Sequence, residues 1–212
     1  NFIEVPVLGE DLSYEILVSW LRGRERTLTA SQIDVVKKAF HFCCLPLYVK
    51  LVFEEVSLWK SYTPPSGTAL ALTVKEVIRN LFVRLDKKHG QCLVSHALGY
   101  LSATLNGIGE NELEDVLSLD DEVLTDVFQY HVPPIRRIPP ILWVRISNDI
   151  SSFLATREVD AQRVVFWYHR QFIEAASAYF LSDPRVSQKL NSMLADYWLN
   201  KWHNKRKPFA YS

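Results

Sequence analysis

A chain of 212 residues with 48% hydrophobic and 12% aromatic content can bury one large core or two small ones, which excludes a disordered tail. Twenty-four Lys and Arg balance 24 Asp and Glu, so the chain as a whole carries no electrostatic footprint for nucleic acid or an anionic membrane. The three cysteines, Cys43, Cys44 and Cys92, form neither an even framework nor a zinc spacing and have apolar neighbours; they read as buried thiols of a reducing, cytoplasmic compartment. No apolar run reaches the roughly 18 residues of a transmembrane helix. The opening Asn1-Phe2-Ile3-Glu4-Val5-Pro6 has neither a starting Met nor a signal pattern, so the expectation is a soluble piece of a longer protein.

With only seven glycines and apolar residues at helical spacing through most of the sequence, the expected fold class is mainly α. In chain order, a first helix is predicted over 11–22. A second opens at Thr29, with Gln32 as its capping partner and Ile33, Val36 and Phe40 as its inward face. A third begins after Pro46 and presents Tyr48, Val52, Val56 and Trp59. These three make a helical module over 1–60. Two prolines and a glycine within 61–67 cannot continue a helix, so 61–72 is read as a linker.

Thr73 with Glu76 has the capping-box spacing and starts a helix whose face is Val74, Val77, Ile78, Leu81, Phe82 and Leu85. A helix over 91–106 follows, with Val94, Ala97, Leu98, Leu101 and Leu105 inward. Gly107 and Gly109 break it, and shorter helices are predicted over 112–117 and 121–130. Beyond the prolines at 133–134 and 139–140 comes a helix over 141–150. Two runs rich in β-branched and aromatic residues, 153–156 and 164–168, are separated by a polar turn and read as a hairpin. Helices ending in a two-stranded hairpin describe a winged helix-turn-helix, here over 73–182. Helices over 170–181 and 185–202 close the chain, the latter opening a second helical region at 183–212 that ends in the basic Lys205-Arg206-Lys207.

No G-x-x-x-x-G-K-[ST] phosphate loop, G-x-S-x-G elbow or H-E-x-x-H helix occurs, and the histidines at 41, 89, 96, 131, 169 and 203 have no ligand spacing. No catalytic residue and no metal site is therefore expected.

Several runs in fixed order carry a resemblance: Leu-Thr-Ala-Ser-Gln32, then Leu45-Pro46-Leu47-Tyr48-Val49-Lys50-Leu51 with Phe53-Glu54-Glu55-Val56 and Trp59. It continues with Lys88-His89-Gly90-Gln91, Ala97-Leu98-Gly99-Tyr100, the run 112–117, and Tyr168-His169-Arg170-Gln171-Phe172. Together these resemble the NACHT-and-WD-repeat proteins, within the STAND class of NTPases that includes the NOD-like receptors and the apoptosome scaffold. The resemblance implies that ADP or ATP is held between an upstream phosphate-binding domain, absent from this chain, and the two modules present here. It implies that Pro46 packs on the adenine and that His169 reaches the β-phosphate of ADP and locks a closed state. It also implies a downstream helical or WD-repeat region, and a homo-oligomer on activation.

Each residue also has a plainer explanation. Proline is favoured in the first turn of any helix, and His169, between an aromatic run and an apolar helix, fits a half-buried structural role. Tryptophans 20, 59, 143, 167, 198 and 202 suit cores and module interfaces, with Trp198 and Trp202 on one helical face. A nucleotide-independent interaction scaffold is the alternative function. Winged-helix DNA binding is the less favoured one, because 109–126 carries Glu110, Glu112, Glu114, Asp115, Asp120, Asp121, Glu122 and Asp126 with no Lys or Arg, a surface that repels phosphate.

Overall fold

The computed structural model describes residues 8–130, 136–159 and 162–201. The prolines at 133–134, His131, His203, Trp202 and the Lys205-Arg206-Lys207 run lie outside the described residues. The chain divides into two compact units, Asn1–Asn80 and Leu81–Ser212.

In the first unit, α1 (Glu10–Gly23), α2 (Ala30–Phe42) and α3 (Pro46–Val56) pack together. Each stripe follows the sequence period: Leu17 and Leu21 from α1, Val36 and Phe40 from α2, and Tyr48, Val52 and Val56 from α3 are all buried. A fully buried side chain of this size contributes about 1.5–3 kcal/mol, so these residues dominate the unit's stability. The α2 entrance is a reciprocal capping box, in which Thr29 N–H donates to Gln32 Oε1 at 3.0 Å and Gln32 N–H donates to Thr29 Oγ1 at 3.4 Å. The Gln32 side chain also donates to Lys60 O at 3.0 Å, which explains its burial in place of the half-buried Ile33. Pro65–Gly67 forms a single 3₁₀ turn. The Tyr48 hydroxyl donates to Ala71 O at 2.6 Å.

Helix α4 (Val74–His89) starts as the Thr73–Glu76 pair requires, with Glu76 N–H donating to Thr73 Oγ1 at 3.3 Å and the hydroxyl donating back to Glu76 Oε2 at 3.0 Å. In the second unit, α5 (Gln91–Ala103), β1 (Ile108–Gly109), α6 (Glu110–Leu119), α7 (Asp121–Val127), α8 (Pro140–Asp149), β2 (Leu154–Val159) and β3 (Gln162–Trp167) follow one another. The antiparallel sheet has the order β1-β3-β2, with Ile108 opposite Val165 and six pairs from Leu154–Trp167 to Val159–Gln162. That order and succession is a winged helix-turn-helix: α6 to α8 supply the helical part, and β2 with β3 the wing.

Strand β1 is absent from the sequence expectation, which had only a break there. Two residues are too short for a periodic signal, and tertiary pairing alone makes them a strand. Gly107 is what lets the chain reach β3: its φ is +82°, and a Cβ there would lie 2.5 Å from Val165 O and 2.8 Å from Val164 Cγ1. For the same reason α5 stops at Ala103 rather than 106, and Leu105, expected inward, is fully exposed.

Helix α9 (Arg170–Phe180) forms the spine of the second unit. Phe172 stacks on Phe153 at 4.8 Å and on Trp167 at 5.4 Å between ring centroids, and Phe180 meets Phe82 at 4.9 Å. The last helix, α10 (Pro184–Trp198), is capped by Asp183, which accepts from Arg185 N–H at 2.8 Å. It buries Leu190 and Leu194. A Cβ on Gly99 of α5 would meet Leu190 Cδ1 at 2.7 Å, so glycine sets how closely α10 approaches. Helix α10 ends at Trp198 rather than 202, with Asn200 at a φ of +55° closing it. Trp59, Trp143 and Trp167 fill cores, as expected of tryptophan, while Trp20 and Trp198 are exposed. The cysteines are half-buried free thiols rather than core residues. Among the described residues, no helix is long and apolar enough to cross a membrane.

Candidate functional site

His169 follows β3 and is the N-cap of α9. Its backbone is extended, at φ −136° and ψ 138°, and Nδ1 accepts the Gln171 N–H at 3.2 Å. The ring is half-exposed and lies 5.8 Å from Tyr168 between centroids. Aromatic anchoring of the first turn by Phe172, which is fully buried, fixes where this imidazole stands. An imidazole at a helix N-terminus is placed beside donors that favour an anion.

Pro46 lies in the first unit, at the first position of α3, and is exposed. Phe42 (67% exposed) and Leu45 (45% exposed) stand beside it in sequence, so the α2–α3 connection presents apolar side chains to the outside. Such a surface suits a planar purine, yet proline at a helix start also needs no ligand. Pro46 and His169 belong to different units, and each is described within its own.

Many carboxylates of the acidic stretch are engaged within the second unit. Arg137, 2% exposed, pairs with Asp115 and with Glu114 at 3.2 Å, and Arg136 pairs with Asp121. Burial pushes the Glu114 carboxyl up, and Arg137 pulls it back only in part. The Tyr197 hydroxyl donates to Asp115 Oδ2 at 3.0 Å, and Trp198 Nε1–H donates to Glu112 Oε1 at 3.5 Å. The acidic residues thus dock α10 and the segment at 136–137.

The most concentrated cluster is one that the sequence did not disclose. Its members come from three places: His96 and Tyr100 on α5, Asp120 and Glu122 at the α6–α7 junction, and Lys189 on α10. His96 Nδ1 donates to Asp120 Oδ2 at 2.6 Å, the Tyr100 hydroxyl donates to the same oxygen at 3.0 Å, and Lys189 Nζ lies 3.4 Å from Asp120 Oδ1 and 2.8 Å from Glu122 Oε2. Burial works against a charged Asp120, but His96, Lys189 and Tyr100 together hold its carboxyl down to about 2. His96, Asp120 and Glu122 bring metal-type donor atoms within 4.8 Å of one another. The Lys189 ammonium already supplies a positive charge there, so the arrangement is accounted for as a buried ion-pair junction. The local sequence signal was that His96 and Tyr100 stand four residues apart on one helix, whereas Asp120 and Lys189 are 69 residues apart.

Cys92, on the same helix, has its thiol pushed up to about 11 by burial and by Asp126, Asp120 and Glu122, which disfavours the thiolate. Elsewhere in the second unit, Lys88 Nζ donates to Asp149 Oδ2 at 2.6 Å and His89 Nε2 donates to it at 2.7 Å, tying α4 to α8. The exposed side of α8, which occupies the position of a groove-reading helix, carries Ile141, Val144, Arg145 and Asn148.

Comparison with known proteins places this architecture. Residues 69–187 match the family model described as the NWD1-like, winged helix-turn-helix domain. The chain is 37% identical over 202 residues to human NACHT domain- and WD repeat-containing protein 1, covering 94% of this chain and 13% of that protein. It is 34% identical over 213 residues to human NACHT and WD repeat domain-containing protein 2, covering 99% of this chain and 12% of that protein. The chain therefore spans about an eighth of the length of these relatives. No solved structure matches.

Proposed function

As this chain belongs to the NACHT- and WD-repeat family through its winged helix-turn-helix domain, we propose that it is the nucleotide-state-sensing segment of such a protein. In this reading it closes over ADP held by an upstream nucleotide-binding domain and restrains oligomerisation in the cytoplasm. The residues present fit that ligand: an exposed Pro46 beside apolar neighbours offers a face to a purine, and a half-exposed imidazole at a helix N-terminus offers a donor to a phosphate. The nucleotide supplies a purine ring and an anionic chain whose length differs between ADP and ATP.

His169 carries the reading. Bound to the first turn of α9 through Nδ1, it holds its ring in a fixed direction and contributes a hydrogen bond in the closed state only. A closed population is favoured by this difference in affinity between the two states, and by no more than that difference. Losing the contact frees the segment to swing away, which opens surfaces for self-association and for the downstream helical or WD-repeat region. In this reading the segment senses nucleotide, and any ATP hydrolysis belongs to the longer protein.

Calorimetric ADP binding to the longer protein that includes the upstream domain tests this, with His169 intact and with His169→Ala. The expected loss is about 1.5–3 kcal/mol, the range for a hydrogen bond to a charged group. Unchanged affinity in a folded variant reduces His169 to a structural residue.

A nucleotide-independent interaction scaffold is the second reading, favoured by Ile141 and Val144 exposed on α8, at 49% and 42%. The same face weighs against DNA reading, since Arg145 is its single cation and Asp149 at its end is paired with Lys88.

A further inference from the structure

We infer that the Asn106–Gly107 peptide is a site of spontaneous covalent modification, at which the Asn106 carboxamide closes onto the Gly107 nitrogen with the help of Arg157, and that the product no longer holds β1 in the sheet. The site stands apart from the nucleotide reading. Of the eight asparagines in the sequence, Asn106 is the one followed by glycine. It lies in the turn between α5 and β1 and is exposed, and its side chain has no hydrogen-bond partner among the described residues. Gly107 brings no Cβ to hinder an approach to its own nitrogen.

The chemistry balances with water as its one co-reactant. The Gly107 nitrogen gives up its proton and attacks Asn106 Cγ. A carbon–nitrogen bond forms, the bond from Cγ to the side-chain nitrogen breaks, and ammonia leaves with that proton, which closes a succinimide ring. Water then opens either carbonyl of the ring and leaves aspartate or isoaspartate at position 106.

The difficult step is loss of the amide proton, and Arg157 is placed to ease it. As the N–H ionises, negative charge spreads onto the carbonyl oxygen of the same peptide, which is Asn106 O. Arg157 Nη2 donates to that oxygen at 2.7 Å, the range in which a fixed donor stabilises developing charge. The guanidinium is always charged, and it is held in place. Arg157 on β2 and Gly109 on β1 are both paired with Val164 of β3, so the side chain reaches across that strand, passing over the Phe166 ring at 5.5 Å.

Isoaspartate runs the main chain through the side-chain carbon and so lengthens it by one carbon directly before Gly107. There is no room for this: at a φ of +82°, a Cβ on Gly107 would already lie 2.5 Å from Val165 O and 2.8 Å from Val164 Cγ1. Strand β1 is held in register by two pairs alone, Ile108–Val165 and Gly109–Val164. A lengthened connection displaces both, and it carries Ile108, which is 1% exposed, out of the core.

The experiment incubates the purified chain at mildly alkaline pH and follows it by peptide mapping with mass spectrometry and by methyl transfer from a protein isoaspartyl methyltransferase. Asn106 is expected to convert first, with the mass gain of an amide-to-acid change and isoaspartate at that residue, while the other asparagines stay intact. Asn106→Gln, which would have to close a larger ring, is expected to lose the methyl-accepting signal. An Asn106 that outlasts the other asparagines or only keeps pace with them overturns the site. Arg157→Met, shown to be folded by circular dichroism, is expected to convert about tenfold more slowly, the effect of one charge-assisted hydrogen bond. An equal or faster rate overturns the part assigned to the guanidinium. In the converted chain, amide exchange is expected to quicken at Ile108 and Val165 while α9 keeps its protection. Unchanged protection at Ile108 overturns the loss of β1.

Discussion

Lys189 of the last helix stands 3.4 Å from Asp120 at the α6–α7 junction, and the other oxygen of that carboxylate accepts from His96 Nδ1 at 2.6 Å. Three elements remote in sequence thereby share one buried negative charge.

Removing that charge should be costly and should change the acid response. Asp120 falls from an ordinary value of 3.8 to about 2, so its contribution is complete above about pH 4 and lost as pH falls towards 2. The shift corresponds to about 2 kcal/mol. Asp120→Asn is expected to lower the urea midpoint at neutral pH and to flatten the loss of stability between about pH 4 and 2. A variant with the wild-type acid profile removes Asp120 from the account.

Arg137→Met should destabilise the second unit by about 3–5 kcal/mol, because it leaves the Glu114 and Asp115 carboxylates facing a buried site without their cation. Burial already raises Glu114 with Arg137 in place. A carboxyl raised in the folded state gains stability on acidification, so the deficit in chemical denaturation should shrink as pH falls towards the carboxylate range. A constant deficit across that range contradicts this origin.

Gly107→Ala is expected to cost at least about 2 kcal/mol, since both a positive φ and a 2.5 Å approach to Val165 O oppose a side chain. The loss of β1 pairing should appear as faster amide exchange at Ile108 and Val165, while α10 keeps its protection.

In the first unit, Thr29→Ala removes one half of the capping box and should cost about 1 kcal/mol, with Thr29→Asp close to wild type. Equal stability of the Ala and Asp variants in urea unfolding excludes the cap as a stabilising element.

Pro46→Ala separates the purine reading from the helical one. Pro46 is exposed at the first position of α3, where alanine keeps the helix, so folding should change by less than about 1 kcal/mol. In the longer protein, ADP affinity should fall while phosphate affinity is retained. Unchanged ADP affinity assigns Pro46 to helix initiation alone.

The elements legible in advance are those whose information is local. Thr29 with Gln32, Thr73 with Glu76, and Pro46 at a helix start marked three helix entrances because capping needs partners three residues apart or a fixed φ. The hairpin was legible from β-branched and aromatic runs. Composition and spacing by themselves thus determined a mainly helical chain with a wing. They could not place Ile108–Gly109 in the sheet, since β1 exists only by pairing with Val164 and Val165, more than fifty residues on. Nor could they show that Asp115, Asp120 and Glu122 turn towards Arg137, Tyr197 and Lys189, because charge pairing is decided by distance in space.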